Sequence, residues 1–356
     1  MTEQALFCWC RAGFEPELAA ELNERAAIAG HPGYARTERG SGYVEFLCED
    51  AAALARALPL SQLIFARQKL LRIADLRGLD PRDRITPILA ALDAQIAAGA
   101  VPALYGELWV EHPDSDAGKP LAGLARSFGN ALRPALRKAG RLTASDDTQR
   151  PRLHIVFLDG DHAMVAVADT RDAAPWPLGI PRLRMHPDAP SRSALKLEEA
   201  LLTLLDDEER ERLVRDNMQA ADLGAAPGGW TWVLMRNGMK VTSVDNGPLR
   251  QALLDSGRVD HLRADGFQWQ PRRTVDWMVC DMVEQPSRVA ERMATWLREG
   301  WCRQTIFNLK LPMKKRWEET RVCLELFEHQ THRPLIVRAR QLYHDREEIT
   351  VYARPR

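Results

Sequence analysis

The sequence predicts an α/β protein: a doubly wound, mostly parallel sheet in the carboxyl-terminal half, preceded by an α+β region. Three observations predict it. From residue 191 onward, short apolar runs alternate with helical patterns, the rhythm of parallel strands joined by crossover helices. The first of those runs enters a glycine-rich bend, Gly224-Ala225-Ala226-Pro227-Gly228-Gly229, and a helical pattern leaves it, which is how an open sheet builds a pocket at a strand's carboxyl end. Before residue 173 the order is different: two β-rich runs flank Asp159-Gly160-Asp161-His162, a hairpin signal that belongs to an antiparallel sheet.

Composition narrows the function classes. The 356 residues allow more than one core, and 45% apolar with 28% charged residues is ordinary for a globular protein. Lys plus Arg equals Asp plus Glu, 49 each, so nucleic-acid binding requires a local basic face. No apolar run approaches the roughly 20 residues that span a bilayer, and the amino terminus lacks the pattern of a signal peptide. A cytoplasmic protein with no membrane association and no obligate protein partner is the expectation. The six cysteines are scattered without CxxC spacing, and nothing beside Cys8-x-Cys10 completes a zinc site, so reduced, buried thiols and no metal are expected.

Taken in order, 1–80 reads as a small α+β (ferredoxin-like) module. It has strands over 5–10, 42–48 and 63–73, a helix over 15–27, and a short helix over 50–58 that Asp50 caps and Pro59 closes. A second module covers 81–172. Its helix over 121–139 carries Arg126, Arg133, Arg137 and Lys138, with Lys119 and Arg141 flanking. Such a run is either a solvated helix face or a surface that tracks phosphates, and the residues alone leave both open. Five prolines between 173 and 190 mark an extended connection. The domain over 191–356 opens with the helix start Ser191-Arg192-Ser193. Strands follow over 218–223, 240–245, 260–263, 277–280 and 305–309, with helices from 231, over 248–256 and over 286–298. A closing pair covers 334–342 and 349–353.

The chemistry concentrates at the strand ends. Asp222, Asp245, Asp265 and Asp281 each stand at the end of a successive strand, and in an open sheet those ends face one crevice. Any one of them alone reads as a turn or cap residue. The bend is not the dinucleotide G-x-G-x-x-G, and Pro227 removes a backbone donor where a pyrophosphate needs one, which favours an adenosine ligand without pyrophosphate such as S-adenosylmethionine. Lys310 ends an apolar strand, where an unpaired ammonium is costly, and Asp281 is its natural partner.

As a set, Ser191-Arg192-Ser193 with Lys196-Leu197, Asp222 to Trp230, Asp281-Met282-Val283-Glu284-Gln285-Pro286, Phe307-Asn308-Leu309-Lys310 and Asp345 to Val351 resemble the Lys-Asp-Lys-Glu ribose 2′-O-methyltransferases. Over the whole chain the resemblance runs to those bacterial enzymes that methylate a cytidine ribose in 23S ribosomal RNA. Their amino-terminal half binds RNA and contains a THUMP domain. The resemblance implies a Rossmann-like S-adenosylmethionine-dependent domain after that RNA-binding region, with 23S ribosomal RNA, or a precursor of the large subunit, as substrate. It places Ser193, Gly224, Ala226, Pro227, Gly228, Gly229, Asp245, Asp265 and Asp281 around the cofactor; Ala226 departs from the Cys often found in related loops. It makes Lys310 the proton acceptor, completed by Lys196, Asp281 and Glu347, the last chosen over Glu348. Desolvation and the charge of Lys196 are expected to lower the pKa of Lys310. It also turns the basic helix toward RNA. Two alternatives stand beside this reading: a base-directed RNA methyltransferase, opposed by the buried setting expected of Cys280 and the missing N/D-P-P-Y/F/W loop, and a non-catalytic RNA-binding or assembly factor.

Overall fold

The computed structural model describes residues 4–356, which divide into two compact units that meet in sequence at Pro181 and Arg182. The first unit contains β1 (Ala5–Trp9), α1 (Glu15–Ile28), β2 (Gly33–Thr37), β3 (Tyr43–Cys48), α2 (Ala51–Ala57), β4 (Gln68–Leu76), α3 (Ile85–Ala97), β5 (Glu107–Glu111), α4 (Ala122–Lys138), β6 (Arg152–Phe157) and β7 (Ala163–Ala168). The two modules expected over 1–80 and 81–172 share one seven-stranded sheet, ordered β2-β3-β1-β4-β7-β6-β5. The join is the antiparallel β4–β7 pair, and β5–β6 is the parallel one.

Strand β4 begins five residues later than the apolar run suggested. The buried Glu21 carboxylate accepts from the Ile64 and Phe65 amides at 2.8 and 3.0 Å, which fixes that segment as a bend. Lys69, polar in a buried strand, donates to the Ala55 and Leu58 carbonyls at 2.6 Å and to Asp172 at 2.5 Å, closing the end of α2. The start of the proline-rich connection is packed rather than free: Ala174 exchanges two 3.0 Å hydrogen bonds with the Gln68 side chain, and the Leu178 amide donates to Glu111 at 2.6 Å.

The second unit contains α5 (Ala194–Thr203), α6 (Asp207–Leu213), β8 (Gln219–Leu223), α7 (Gly229–Arg236), β9 (Lys240–Val244), α8 (Gln251–Leu254), β10 (Val259–Leu262), β11 (Val275–Cys280), α9 (Pro286–Arg298), β12 (Cys302–Lys310), α10 (Arg316–Thr331), β13 (Leu335–Arg340) and β14 (Glu348–Pro355). Its sheet order is β10-β9-β8-β11-β12-β14-β13. The first five run parallel, and β14 enters antiparallel between β12 and β13. On one face Trp230, Val233 and Leu234 of α7 and Leu197 of α5 pack with Trp277, Val279, Ile306 and Tyr352. Phe307 meets Phe327 of α10 at 5.2 Å between ring centroids. No helix of the described residues is long and apolar enough to cross a membrane.

Candidate active site

The carboxyl ends of β8, β9, β11 and β12 lie side by side, and the reversed β14 brings its beginning to the same edge. Lys310 ends β12 and is in register with Glu348, which begins β14. Asp281 follows β11 directly, and Lys196 lies on the first turn of α5.

These four side chains form one charged cluster. Lys196 Nζ is 2.5 Å from Glu348 Oε1 and 3.2 Å from Asp281 Oδ2. Lys310 Nζ is 2.5 Å from Asp281 Oδ1 and also donates to Glu348 Oε2. Two ammoniums and two carboxylates therefore alternate around the group, and each charge sits between two of opposite sign. Burial alone would lower the pKa of Lys310, but the Asp281 and Glu348 carboxylates outweigh it and hold it above the ordinary lysine value. The expected depression is thus reversed: Lys196 acts on Lys310 across two intervening anions. Burial works against the Asp281 carboxylate, yet Lys310 and Lys196 keep it below the usual range.

The glutamate of the cluster is Glu348, not Glu347. In an extended segment successive side chains point to opposite faces, so only one of the pair can turn inward. Glu348 is 5% exposed at the side chain; Glu347 is 59% exposed and pairs with Arg316.

Behind the cluster runs a chain of polar groups that sequence reasoning missed. Asn308 Nδ2 donates to Asp281 Oδ1 at 2.9 Å, so its amide oxygen faces Thr350, whose Oγ1 is 2.7 Å away. Thr350 Oγ1 also lies 3.0 Å from Asp345 Oδ2. A hydroxyl has one proton. With that proton given to Asn308, Asp345 must supply one of its own, and a neutral acid is the form its surroundings favour: burial and the nearby Glu348 push its pKa well up. Glu199, also buried, accepts from the Tyr343 and His344 amides at 2.7 and 2.9 Å and fixes the loop that carries Asp345. The sequence of β12 carried no signal for this arrangement: Asn308 is a polar residue, fully buried, within a strand that shows no polar–apolar alternation.

The bend at the end of β8 is held by its neighbours. The Gly224 amide donates to the Val244 carbonyl at 2.9 Å, and Asp245 accepts from the Ala226 amide at 3.0 Å and the Gly247 amide at 2.7 Å. Gly224 and Gly228 have φ of +75° and +110°, and a Cβ on Gly228 would lie 2.2 Å from Leu253 Cδ1. A Cβ on Gly229 would lie 2.3 Å from Ser193 Oγ, while Trp230 Nε1 donates to the Ser193 carbonyl at 3.0 Å. Ser193, Gly224, Ala226, Pro227, Gly228, Gly229 and Asp245 are thereby gathered at one place. Asp265 is exposed and caps its own turn through the Phe267 amide at 2.8 Å, with Gly266 packed beside Met282 and Gly224. Asp222 does not face the crevice with the other acids. It is 1% exposed, accepts from Thr231 Oγ1 at 2.6 Å, and its pKa is pushed up to about 7, chiefly by burial. Cys280 is fully buried and its thiol is pushed up to about 12, also by burial, which disfavours a nucleophilic role.

The acidic rim fits S-adenosylmethionine. Carboxylates accept from ribose hydroxyls and an ammonium and repel phosphates, and the glycine loop leaves the strand end open to close approach.

The six cations expected to meet RNA are mostly engaged within the first unit. Helix α4 buries Ala125, Phe128, Leu132 and Leu136 and turns its basic residues outward. Arg133 donates to the Leu108 carbonyl at 3.1 Å and Arg137 to the Thr143 carbonyl at 3.0 Å. Arg141 pairs with Asp93 at 2.7 Å and Lys119 with Asp116 at 2.5 Å. Arg126 and Lys138 are exposed and unpaired among the described residues.

Three family models match: the RlmM ferredoxin-like domain over 3–70, the ribosomal RNA large subunit methyltransferase M amino-terminal domain over 83–169, and the FtsJ-like methyltransferase over 189–332. Ribosomal RNA large subunit methyltransferase M of Xanthomonas oryzae pv. oryzae is 72% identical over 98% of both chains, and that of Xanthomonas axonopodis pv. citri 71% over the same shares. The solved structure of TrmN from Thermus thermophilus is similar over 99% of both chains at 16% identity and a TM-score of 0.37. At more than 70% identity along nearly the whole length, with the charged cluster intact, the chain belongs to the family of the ribosomal RNA large subunit methyltransferases M.

Proposed function

We propose that the chain methylates a ribose 2′-hydroxyl of large-subunit ribosomal RNA, a cytidine of 23S RNA, with Lys310 as the group that receives the hydroxyl proton. As a member of its family it is an S-adenosylmethionine-dependent methyltransferase of ribosomal RNA. Ser193, the Gly224 to Gly229 loop, Asp245 and Asp265 hold the cofactor in this reading. When bound, S-adenosylmethionine supplies a methyl group on a sulfonium, electrophilic without further activation. The remaining work is alignment and proton removal.

The alternating Lys-Asp-Lys-Glu cluster carries the proposal. Asp281 and Glu348 fix the Lys310 ammonium from two sides, so Nζ has a defined position at the crevice edge. Because those carboxylates favour the charged form, Lys310 releases a proton to solvent before it accepts one from the 2′-hydroxyl. The bond from the 2′-oxygen to hydrogen passes to Nζ, and the oxygen would take the methyl as the methyl's bond to the sulfonium sulfur breaks, the neutral thioether S-adenosylhomocysteine being the leaving group. Lys196 balances the second half of the two carboxylates and holds their geometry. The chain acts in the cytoplasm, where the assembling large subunit is found, and its amino-terminal unit, read as THUMP-containing, contacts the RNA.

Replacing Lys310 by Ala tests the assignment. Methyl transfer to large-subunit RNA should be abolished while S-adenosylmethionine affinity stays within a few-fold; retained turnover overturns it.

A further inference from the structure

The end of the second unit's sheet opposite the crevice carries a feature that the methyl-transfer site does not use. A cavity of about 480 Å³ opens at the amino ends of β8, β11 and β12. Five arginines line it, Arg212, Arg215, Arg303, Arg333 and Arg354, against the single carboxylate of Asp276. Arg354 is held by Glu209 at 3.3 Å, and Arg303 lies 3.5 Å from Asp276. Arg212, Arg215 and Arg333 are exposed and have no ion-pair partner among the described residues. In a chain of zero net charge this is a local excess that the fold leaves unneutralised, unlike helix α4 and its flanks, where four of the six expected cations are already engaged.

Guanidinium groups bind phosphate through paired, planar donors, so three free ones around a shallow hollow suit a run of phosphodiesters rather than an apolar ligand. The nine residues of β12 separate this hollow from Lys310, roughly 30 Å of strand. A large folded nucleic acid is long enough to reach both places at once. We propose that the arginine-lined hollow is a second RNA contact, which grips the phosphate backbone of the ribosomal RNA away from the methylated nucleotide. This rests on the reading of the chain as a ribosomal RNA methyltransferase.

The test uses the full-length protein and a protein-free transcript of large-subunit ribosomal RNA, with binding measured across a salt series. The combined variant Arg212→Glu, Arg215→Glu, Arg333→Glu should bind at least tenfold more weakly. Its slope of log affinity against log salt should fall by about 2 to 3, as expected for three lost phosphate contacts. The variant with Lys at all three positions should keep the slope. Unchanged S-adenosylmethionine affinity in both variants shows that the unit remains folded. Equal slopes for the wild type and the charge-reversed protein overturn the proposal, as does arginine-dependent binding of inorganic phosphate without any change toward RNA. A wild type that binds the transcript with this slope but transfers no methyl group sinks the catalytic reading and leaves this contact standing.

Discussion

At the scale of single residues, the cluster shows how a lysine is kept at a buried strand end. Lys310 meets Asp281 and Glu348 together, and two carboxylates offset its desolvation where one would not. Lys310 and Asp281 could be paired from sequence because both end apolar strands. The glutamate could not, because two adjacent glutamates differ only in which way the backbone turns them, and that is set by the register of β14 on β12. The two are separable by experiment. Glu348→Gln removes one of the two anions holding each lysine and should lower kcat at least tenfold with little change in cofactor affinity. Glu347→Gln removes an exposed partner of Arg316, and such pairs contribute little, so its turnover should stay near wild type. The reverse ranking would place the catalytic carboxylate at Glu347. Asn308, Thr350 and Asp345 were hidden for a different reason: a polar residue inside a strand gives no hint of whether it is satisfied or exposed until its neighbours across the sheet are known.

Among elements, those with one clear period were legible. Helix α9 matches its expected span, and the β6–β7 pair forms around Asp159-Gly160 as the turn residues indicated. Helix α10 went unread because two of its five buried positions, Thr320 and Thr331, are not apolar, so its inward stripe does not stand out from a charged surface. Strand β2 is likewise unmarked: Gly33–Thr37 is almost entirely exposed and has no alternation to detect. Helix α4 was read correctly as a helix, yet its charges are less available than their number suggests. Reversing the free pair, Arg126→Glu with Lys138→Glu, should therefore weaken RNA binding and shallow its salt dependence more than reversing Arg133 and Arg137, which bond carbonyls of their own unit. Filter binding across a salt series decides this, and equal effects of the two pairs would contradict it.

For the molecule as a whole, electrical balance is kept by local pairing, and the exceptions govern its response to pH. Asp222 holds its proton to about pH 7 in the folded chain against about 3.8 for a free carboxyl. Between those values the native state binds more protons than the unfolded one, so this residue makes stability fall as pH rises through the window. Asp222→Asn keeps an acceptor for Thr231 and cannot ionise. Its melting temperature should match the wild type near pH 4 and exceed it near pH 8; a constant difference at both pH values would remove Asp222 as the cause.

The reversed course of β14 carries a consequence for how the protein comes to be active. Lys196, Asp281, Lys310 and Glu348 are drawn from separate segments spread over the second unit, and Glu348 arrives on the β13–β14 hairpin, which has to dock along the open side of β12. Until it does, β12 has an unpaired side and Lys310 lacks one of its two anions. Assembly of the charged cluster is thus coupled to a long-range pairing, between β12 and a hairpin about 40 residues further along the chain. A half-made unit lacks the arrangement on which the proposed proton transfer depends.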